Sequence, residues 1–270
     1  KKPKVITYHD IASLTDKESA PSLTMRFFAS LLFRVGRFCD RIIAVSTQTK
    51  EDIVRNLKFP PEKIKVINLG IDDRFKPLNY KKDRRNHYVI GYLGALALRK
   101  RIDYSIKAFS FLKGKYPEIR AKLFICGKGN DLKRLKQIAN EFNLSGDVEF
   151  KGFASDKKLV EIYNSFNIFV LPSDWEGFGL PILEAQRCGV PVIIREDAHI
   201  PEETAKCCLK AKSEQDMADK IYELLTNTSL RDELIGKGLN WSKQFTWERT
   251  VNETIKVYEE VLSRGSHSIS

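Results

Sequence analysis

Two glutamates, two glycines and a proline fall within thirteen residues, Ser173-Asp174-Trp175-Glu176-Gly177-Phe178-Gly179-Leu180-Pro181-Ile182-Leu183-Glu184-Ala185. The apolar run from Asn167 to Leu171 ends at Pro172 just before them, so the cluster stands where a buried strand gives way to a helix. In open α/β sheets that is the ligand edge. Glu176 and Glu184 are eight positions apart, which on one continuous helix would turn them ~80° from each other; they are read as separate contacts. Gly177 and Gly179 permit a tight turn and a close approach of backbone to ligand. Pro181 suits a first helical turn, so a helix starts near Leu180 with its free N–H groups and positive dipole end facing the loop, a place for a diphosphate. Glu184 could accept two hydrogen bonds from vicinal ribose hydroxyls, and Glu176 could reach a second polyol such as a sugar ring. A solvated helix start with two surface glutamates would explain an isolated pair of this spacing, but not the aromatic and glycine filling.

Arg99-Lys100-Arg101 is a second constellation. Between a strand and a helix, arginine offers paired N–H bonds and lysine a point charge to a diphosphate, although a solvated basic triplet is common. His9-Asp10 closes the first strand, where the imidazole could bond a sugar hydroxyl and Asp10 could turn the chain through local N–H groups. A polar strand terminus is the plain alternative. Phe153 follows Gly152 and is either a neighbour of a nucleotide base or a core aromatic. Gly127-Lys128-Gly129 lacks a third glycine and reads as a simple turn.

The elements that must position these groups alternate along the chain. Strands are expected at 5–8, 41–45 and 64–68 with helices at 23–38 and 46–57, the second capped by Ser46. The polar stretch 76–86 is the linker. From Tyr88 onward, strands at 88–93, 121–126, 147–151, 167–171 and 191–194 alternate with helices at 101–113, 131–142, 156–165 and 180–188, the last closed by Gly189. Such alternation predicts a parallel sheet with helices on both faces. Helices at 214–226, 229–240 and 247–263 follow, and 264–270 reads as a disordered tail.

The segment 176–185 (EGFGLPILEA) with 188–192 (CGVPV) resembles the signature of the retaining glycosyltransferases of GT-B fold, glycosyltransferase family 4, also called glycosyl transferases group 1. Segments 91–109 (GYLGALALRKRIDYSIKAF), 123–129 (LFICGKG), 148–153 (VEFKGF), 65–72 (KVINLGID), 8–11 (YHDI) and 43–46 (IAVS) are similar to further family segments. The resemblance spans nearly the whole chain. It implies an α/β, GT-B type fold with a complete C-terminal Rossmann-like domain (86–245), a truncated N-terminal Rossmann-like domain (1–80) and a helix at 246–263 crossing back to the first domain. It implies a hexosyl transfer from a nucleoside-diphosphate sugar, GDP-mannose or a UDP-hexose, to an acceptor hydroxyl with retention and without a metal. Arg99 and Lys100 take the diphosphate, with Arg101 peripheral; Glu176 and His9 take the sugar, and Glu184, Gly177, Phe178, Gly179, Leu180, Phe153 and Gly94 bind the donor. Many members place an arginine after the glycine matching Gly94; here Ala95 stands there, which leaves the burden on Arg99 and Lys100. In complete members the His-Asp motif comes later, so the chain is expected to be naturally short, trimmed, or completed by a second polypeptide; a donor-binding subunit or inactive relic is the alternative function.

Composition fits this. At 270 residues, with 42% hydrophobic and 30% charged residues, about two domains are expected. No run approaches the ~20 apolar residues of a membrane span and no secretory leader is seen. Five cysteines without CxxC spacing read as reduced thiols of a cytoplasmic protein, and four scattered histidines argue against a metal site. Of the net charge of +11, +9 lies in residues 1–85. There, Arg26, Arg34, Arg37 and Arg41 stand beside Phe27, Phe28, Leu31, Leu32 and Phe38. Apolar stripes usually face cores, so a core-facing helix is the first reading; contact with an anionic inner membrane face, delivering the enzyme to a glycan or lipid-linked acceptor, is the second. No nucleic-acid partner is expected, because no recognition motif accompanies the basic residues and the carboxylates of 176–184 would repel a polyanion.

Overall fold

The computed structural model describes residues 2–15, 22–78 and 87–266. In its first part, β1 (Val5–Tyr8) leads through α1 (Ala12–Thr15) and α2 (Leu23–Arg34) to β2 (Arg41–Ala44), then through α3 (Thr47–Leu57) to β3 (Ile64–Val66). The strands form a parallel sheet in the order β1-β2-β3. Period-2 alternation sends Ile42 and Ala44 towards Ile53 and Leu57 of α3, and Ile43 to the opposite face with Ile67 and Val257. Ser46 caps α3, its Oγ accepting from the Thr49 N–H at 3.0 Å.

The second part runs β4 (Tyr88–Leu93), α4 (Ile102–Lys115), β5 (Ala121–Cys126), α5 (Leu132–Glu141), β6 (Val148–Gly152), α6 (Leu159–Ser165), β7 (Ile168–Leu171), α7 (Leu180–Arg187), β8 (Val192–Arg195), α8 (Glu202–Ala205), β9 (Leu209–Ala211), α9 (Glu214–Thr226), α10 (Thr228–Ser242) and α11 (Trp247–Ser266). All its strand pairs are parallel, in the order β6-β5-β4-β7-β8-β9. The sheet grows one way from β4 and then the other way from β7, which makes the β4–β7 junction the topological switch point of a doubly wound α/β domain. Every residue of β7 is buried, as a central parallel strand covered on both faces requires. The α11 helix packs on the first sheet: Val257 lies against Ile43 and Ile67, and Thr250 Oγ1 donates to the Asn68 carbonyl at 2.8 Å.

Several expectations need correction. The helix expected at 23–38 is α-helical only to Arg34 and finishes as a 3-10 turn, Val35–Phe38. The core-facing reading of it fails: α2 buries no residue fully, and Leu23, Phe28 and Leu32 are 83%, 62% and 71% exposed. Its inward side is the partly buried row Arg26, Ala29, Ser30 and Phe33, which leaves the larger apolar side chains on both flanks. The short elements α1, α8 and β9 are additions, each too brief to show a period. Past residue 263 the helix α11 continues to Ser266, because no proline interrupts its hydrogen-bond ladder. Residues 79–86 of the expected linker and 267–270 of the expected tail lie outside the described residues. Among the described residues, no helix is long and apolar enough to cross a membrane.

Candidate active site

At the switch point the loops following β4 and β7 face each other. The Asp174 N–H donates to the Arg99 carbonyl at 2.9 Å, and Arg99 Nη1 donates to the Trp175 carbonyl at 3.4 Å. Lys100 Nζ lies 2.6 Å from Glu176 Oε1, with the two side chains only 12% and 9% exposed. This pair is enclosed, so each charge depends on the other or on a ligand that replaces it. Arg101, with φ at +46°, stands immediately before α4, and its guanidinium reaches Asp103 at 3.4 Å and Asp174 at 3.3 Å. Asp174 also pairs with Arg195, which is held in turn by Asp197 at 2.6 Å.

Gly179, at φ +89°, turns the chain into α7, with Pro181 in the first turn. A side chain at this φ would be strained. The Phe178 ring is buried against Phe245, 5.9 Å between centroids, and Thr204 Oγ1 donates to its carbonyl at 2.7 Å; Leu180, the first residue of α7, is half-buried. Inside α7, Glu184 Oε2 accepts from the Tyr163 hydroxyl at 2.7 Å. Burial pushes the Glu184 carboxyl above the ordinary carboxylate range, opposed by the Tyr163 hydrogen bond and by Arg74. Burial likewise pushes the Tyr163 phenol up, and the Glu184 charge adds to it.

Gly177 brings the first part of the chain to this loop. A methyl group there would lie 2.1 Å from the His9 carbonyl oxygen, so the end of β1 abuts the turn after Glu176. The His9 side chain is exposed and lines a cavity of about 440 Å³ with Asp10, Ser13, Leu32 and Phe33. On the other side, a cavity of about 370 Å³ is lined by Gly94, Gly127, Lys128, Phe153 and Asp156. Phe153 is 68% exposed with Lys128 Nζ 4.7 Å above its ring, so it is no core aromatic. At Gly127 an added Cβ would sit 1.8 Å from the Gly94 carbonyl: the glycine lets two strand-end loops pass in contact.

Sequence reasoning missed a set of contacts between the two parts. Ser46 Oγ and Thr49 Oγ1 donate to the Gly177 carbonyl at 2.9 and 3.2 Å. Gln48 Nε2 donates to the carbonyls of Glu176 at 3.3 Å and His199 at 3.1 Å. His199 Nε2 lies 2.9 Å from Asp52 Oδ2. Of the side chains that make these contacts, only that of Ser46 carried a signal, as a helix cap.

Comparison with known proteins agrees with this architecture. The model of glycosyl transferases group 1 matches residues 74–241, and that of glycosyltransferase family 4 matches residues 1–75. The O-antigen chain mannosyltransferase B of Escherichia coli is 28% identical over 94% of this chain and 70% of its own length. A D-inositol 3-phosphate glycosyltransferase of Corynebacterium jeikeium is 27% identical over 97% of this chain and 68% of its own. Among solved structures, WaaG, a glycosyltransferase involved in lipopolysaccharide biosynthesis, superposes with a TM-score of 0.79 at 16% identity, covering 95% of this chain and 75% of WaaG. Anabaena HepE in complex with UDP and glucose gives 0.78 at 21% identity, over 96% and 72%. With its two matched segments, its parallel doubly wound sheet and these relatives, the chain belongs to the glycosyl transferases group 1 family, of GT-B fold.

Proposed function

We propose that this chain takes a hexosyl group from a nucleoside-diphosphate sugar and transfers it, with retention, to an acceptor hydroxyl. The observation that carries the reading is the convergence, at one switch point, of the Arg99-Lys100 loop, the helix start at Gly179, the enclosed carboxylate of Glu176 and the half-buried one of Glu184. Arg99, Lys100 and the α7 N-terminus stabilise the diphosphate as the bond from its oxygen to the anomeric carbon breaks. The departing phosphate oxygen takes the acceptor proton while the acceptor oxygen bonds the same face of the sugar. Lys100 and the helix end supply the positive charge, so no metal is invoked. Glu184 accepts from the ribose hydroxyls, Glu176 and the Phe178–Gly179 backbone orient the sugar, and His9 approaches it across the cleft. The base occupies the cavity between Gly94 and Phe153. GDP-mannose is the preferred donor over a UDP-hexose, a choice supported by mannosyltransferases among the relatives.

The acceptor is a glycan or lipid-linked glycan at the inner face of the cytoplasmic membrane. The exposed Phe27, Phe28, Leu31 and Leu32 of α2, beside Arg34 and Arg37, support contact with an anionic surface. The same surface favours a second reading, a donor-binding chain that turns over only with a further polypeptide. The outer edge of β1, unpaired among the described residues, and the uncovered α2 offer that polypeptide a place to pack. Thermal-shift titration with GDP, UDP and ADP tests the donor site. At 100 times the dissociation constant a ligand stabilises by roughly 2.7 kcal/mol, and a selective shift lost in Glu184→Ala is expected. Sugar transfer by the purified chain then separates the first reading from the second, while absence of a shift with every nucleotide overturns both.

A further inference from the structure

The segment bearing Glu176 is held from behind by His199. Trp175 and His199 form a parallel β-bridge, in which the Glu176 N–H donates to the His199 carbonyl at 3.0 Å and the His199 N–H donates to the Asp174 carbonyl at 2.8 Å. The imidazole packs on the Trp175 indole, 3.9 Å between ring centroids. Its Nε2 then crosses to α3 of the first part, 2.9 Å from Asp52 Oδ2. Asp52 is 3% exposed. An ionised carboxylate only accepts, so a hydrogen bond to it calls for the proton on Nε2. Gln48, one turn before Asp52, bonds the carbonyls on both sides of the bridge, so α3 grips the Glu176 segment and its brace together.

We propose that His199 is a positioning residue of the donor site, which couples buried Asp52 of the first part to the backbone presenting Glu176 and so fixes where that carboxylate stands beside Lys100. The inference rests on the proposed donor function for its effect on affinity, but not for its mechanical part. With the ring absent, Asp52 loses its cross-domain donor, the indole loses its neighbour, and the bridge keeps its main-chain bonds and the two from Gln48. A buried carboxylate without its partner pulls water or a new partner inward, and residues in direct contact couple rather than add.

The test uses the whole chain. His199→Ala is expected to weaken nucleoside-diphosphate binding about tenfold, Asp52→Ala to do the same, and the double variant to be no weaker than either single one. His199→Gln keeps an N–H donor at similar reach and is expected to restore affinity to within about twofold. Losses that multiply in the double variant, or no rescue by glutamine, overturn the coupling. A second readout needs no nucleotide: with Trp241→Phe and Trp247→Phe in the background, Trp175 emission should shift to the red in His199→Ala and stay in place in His199→Gln. Unchanged emission in His199→Ala overturns the brace even where a nucleotide binds. A red shift in a protein that binds no nucleotide upholds the brace and sinks the donor reading instead.

Discussion

Glu176 and Glu184 lie on the same loop-to-helix turn and are held by opposite means. Glu176 meets a cation, Lys100, at 2.6 Å. Glu184 meets a neutral phenol, Tyr163, at 2.7 Å, and burial pushes its carboxyl up. The difference separates two roles. The Lys100–Glu176 pair is a closed charge couple, which the proposed diphosphate would open by taking the lysine. Glu184 is a carboxylate with one lone-pair direction already satisfied, its orientation fixed by Tyr163 and its remaining acceptor capacity left for a hydroxylic ligand. Breaking the couple should therefore damage both fold and binding, whereas neutralising Glu184 should damage binding alone.

The largest effect is expected from Lys100→Ala. It removes the cation proposed to hold the diphosphate and leaves the Glu176 charge enclosed without its partner, a change that costs about 3–5 kcal/mol in comparable buried pairs. A urea melt should show the midpoint falling, and nucleotide titration should show affinity falling with it. Glu176→Gln in the same background removes the stranded charge, so it should recover much of the stability and none of the affinity. A Lys100→Ala protein as stable as the parent would mean that the pair is as solvated as a surface one. Next comes Glu184→Ala, which should lower donor affinity by roughly 2 kcal/mol, about 30-fold, the range for hydrogen bonds to a charged group. Glu184→Gln keeps the volume and one acceptor oxygen, and should not lower the denaturation midpoint below that of the parent.

Part of this contrast is legible in the amino-acid sequence, and the limits of that reading have physical causes. Glycines, a proline and an apolar strand fix a local turn, so the residues from Trp175 to Glu184 announce the strand-to-helix junction. Alternation from Tyr88 announces the parallel sheet. What each carboxylate touches is not legible, because Lys100 and Tyr163 lie 76 and 21 residues away from their partners and no period links them. His199 and Asp52 are 147 residues apart, and each alone is an ordinary polar residue. The α2 stripe shows a different limit: periodicity reveals that a helix has an apolar side but not what covers it, and Leu23, Phe28 and Leu32 stand exposed. For the same reason sequence alone leaves Phe153 between base neighbour and core, and its exposure of 68% decides against the core.

A smaller effect sharpens the comparison through pH. A carboxyl raised in the folded state binds its proton more tightly there than in the unfolded chain. Over the window from the ordinary value of 4.5 up to the raised one, the folded protein therefore holds more protons, and stability falls as pH rises. Glu184→Gln removes that loss, so its stability relative to the parent should grow across this window and level off above it, read by denaturation at a series of pH values. Glu149 is the opposite case. Its carboxyl is held low by hydrogen bonds from Lys122 and Lys151, so it contributes stability above its unfolded value that disappears as pH falls through the folded one. Its side chain is 31% exposed, and an ion pair so open to water and salt is worth about 0.5 kcal/mol. Glu149→Gln should accordingly shift the midpoint by less than any change at Lys100, and ~0.5 M salt should erase the shift. If salt left it intact, solvent exposure would no longer account for the difference between the two pairs, and the Lys100–Glu176 couple would lose its claim to be special for being enclosed.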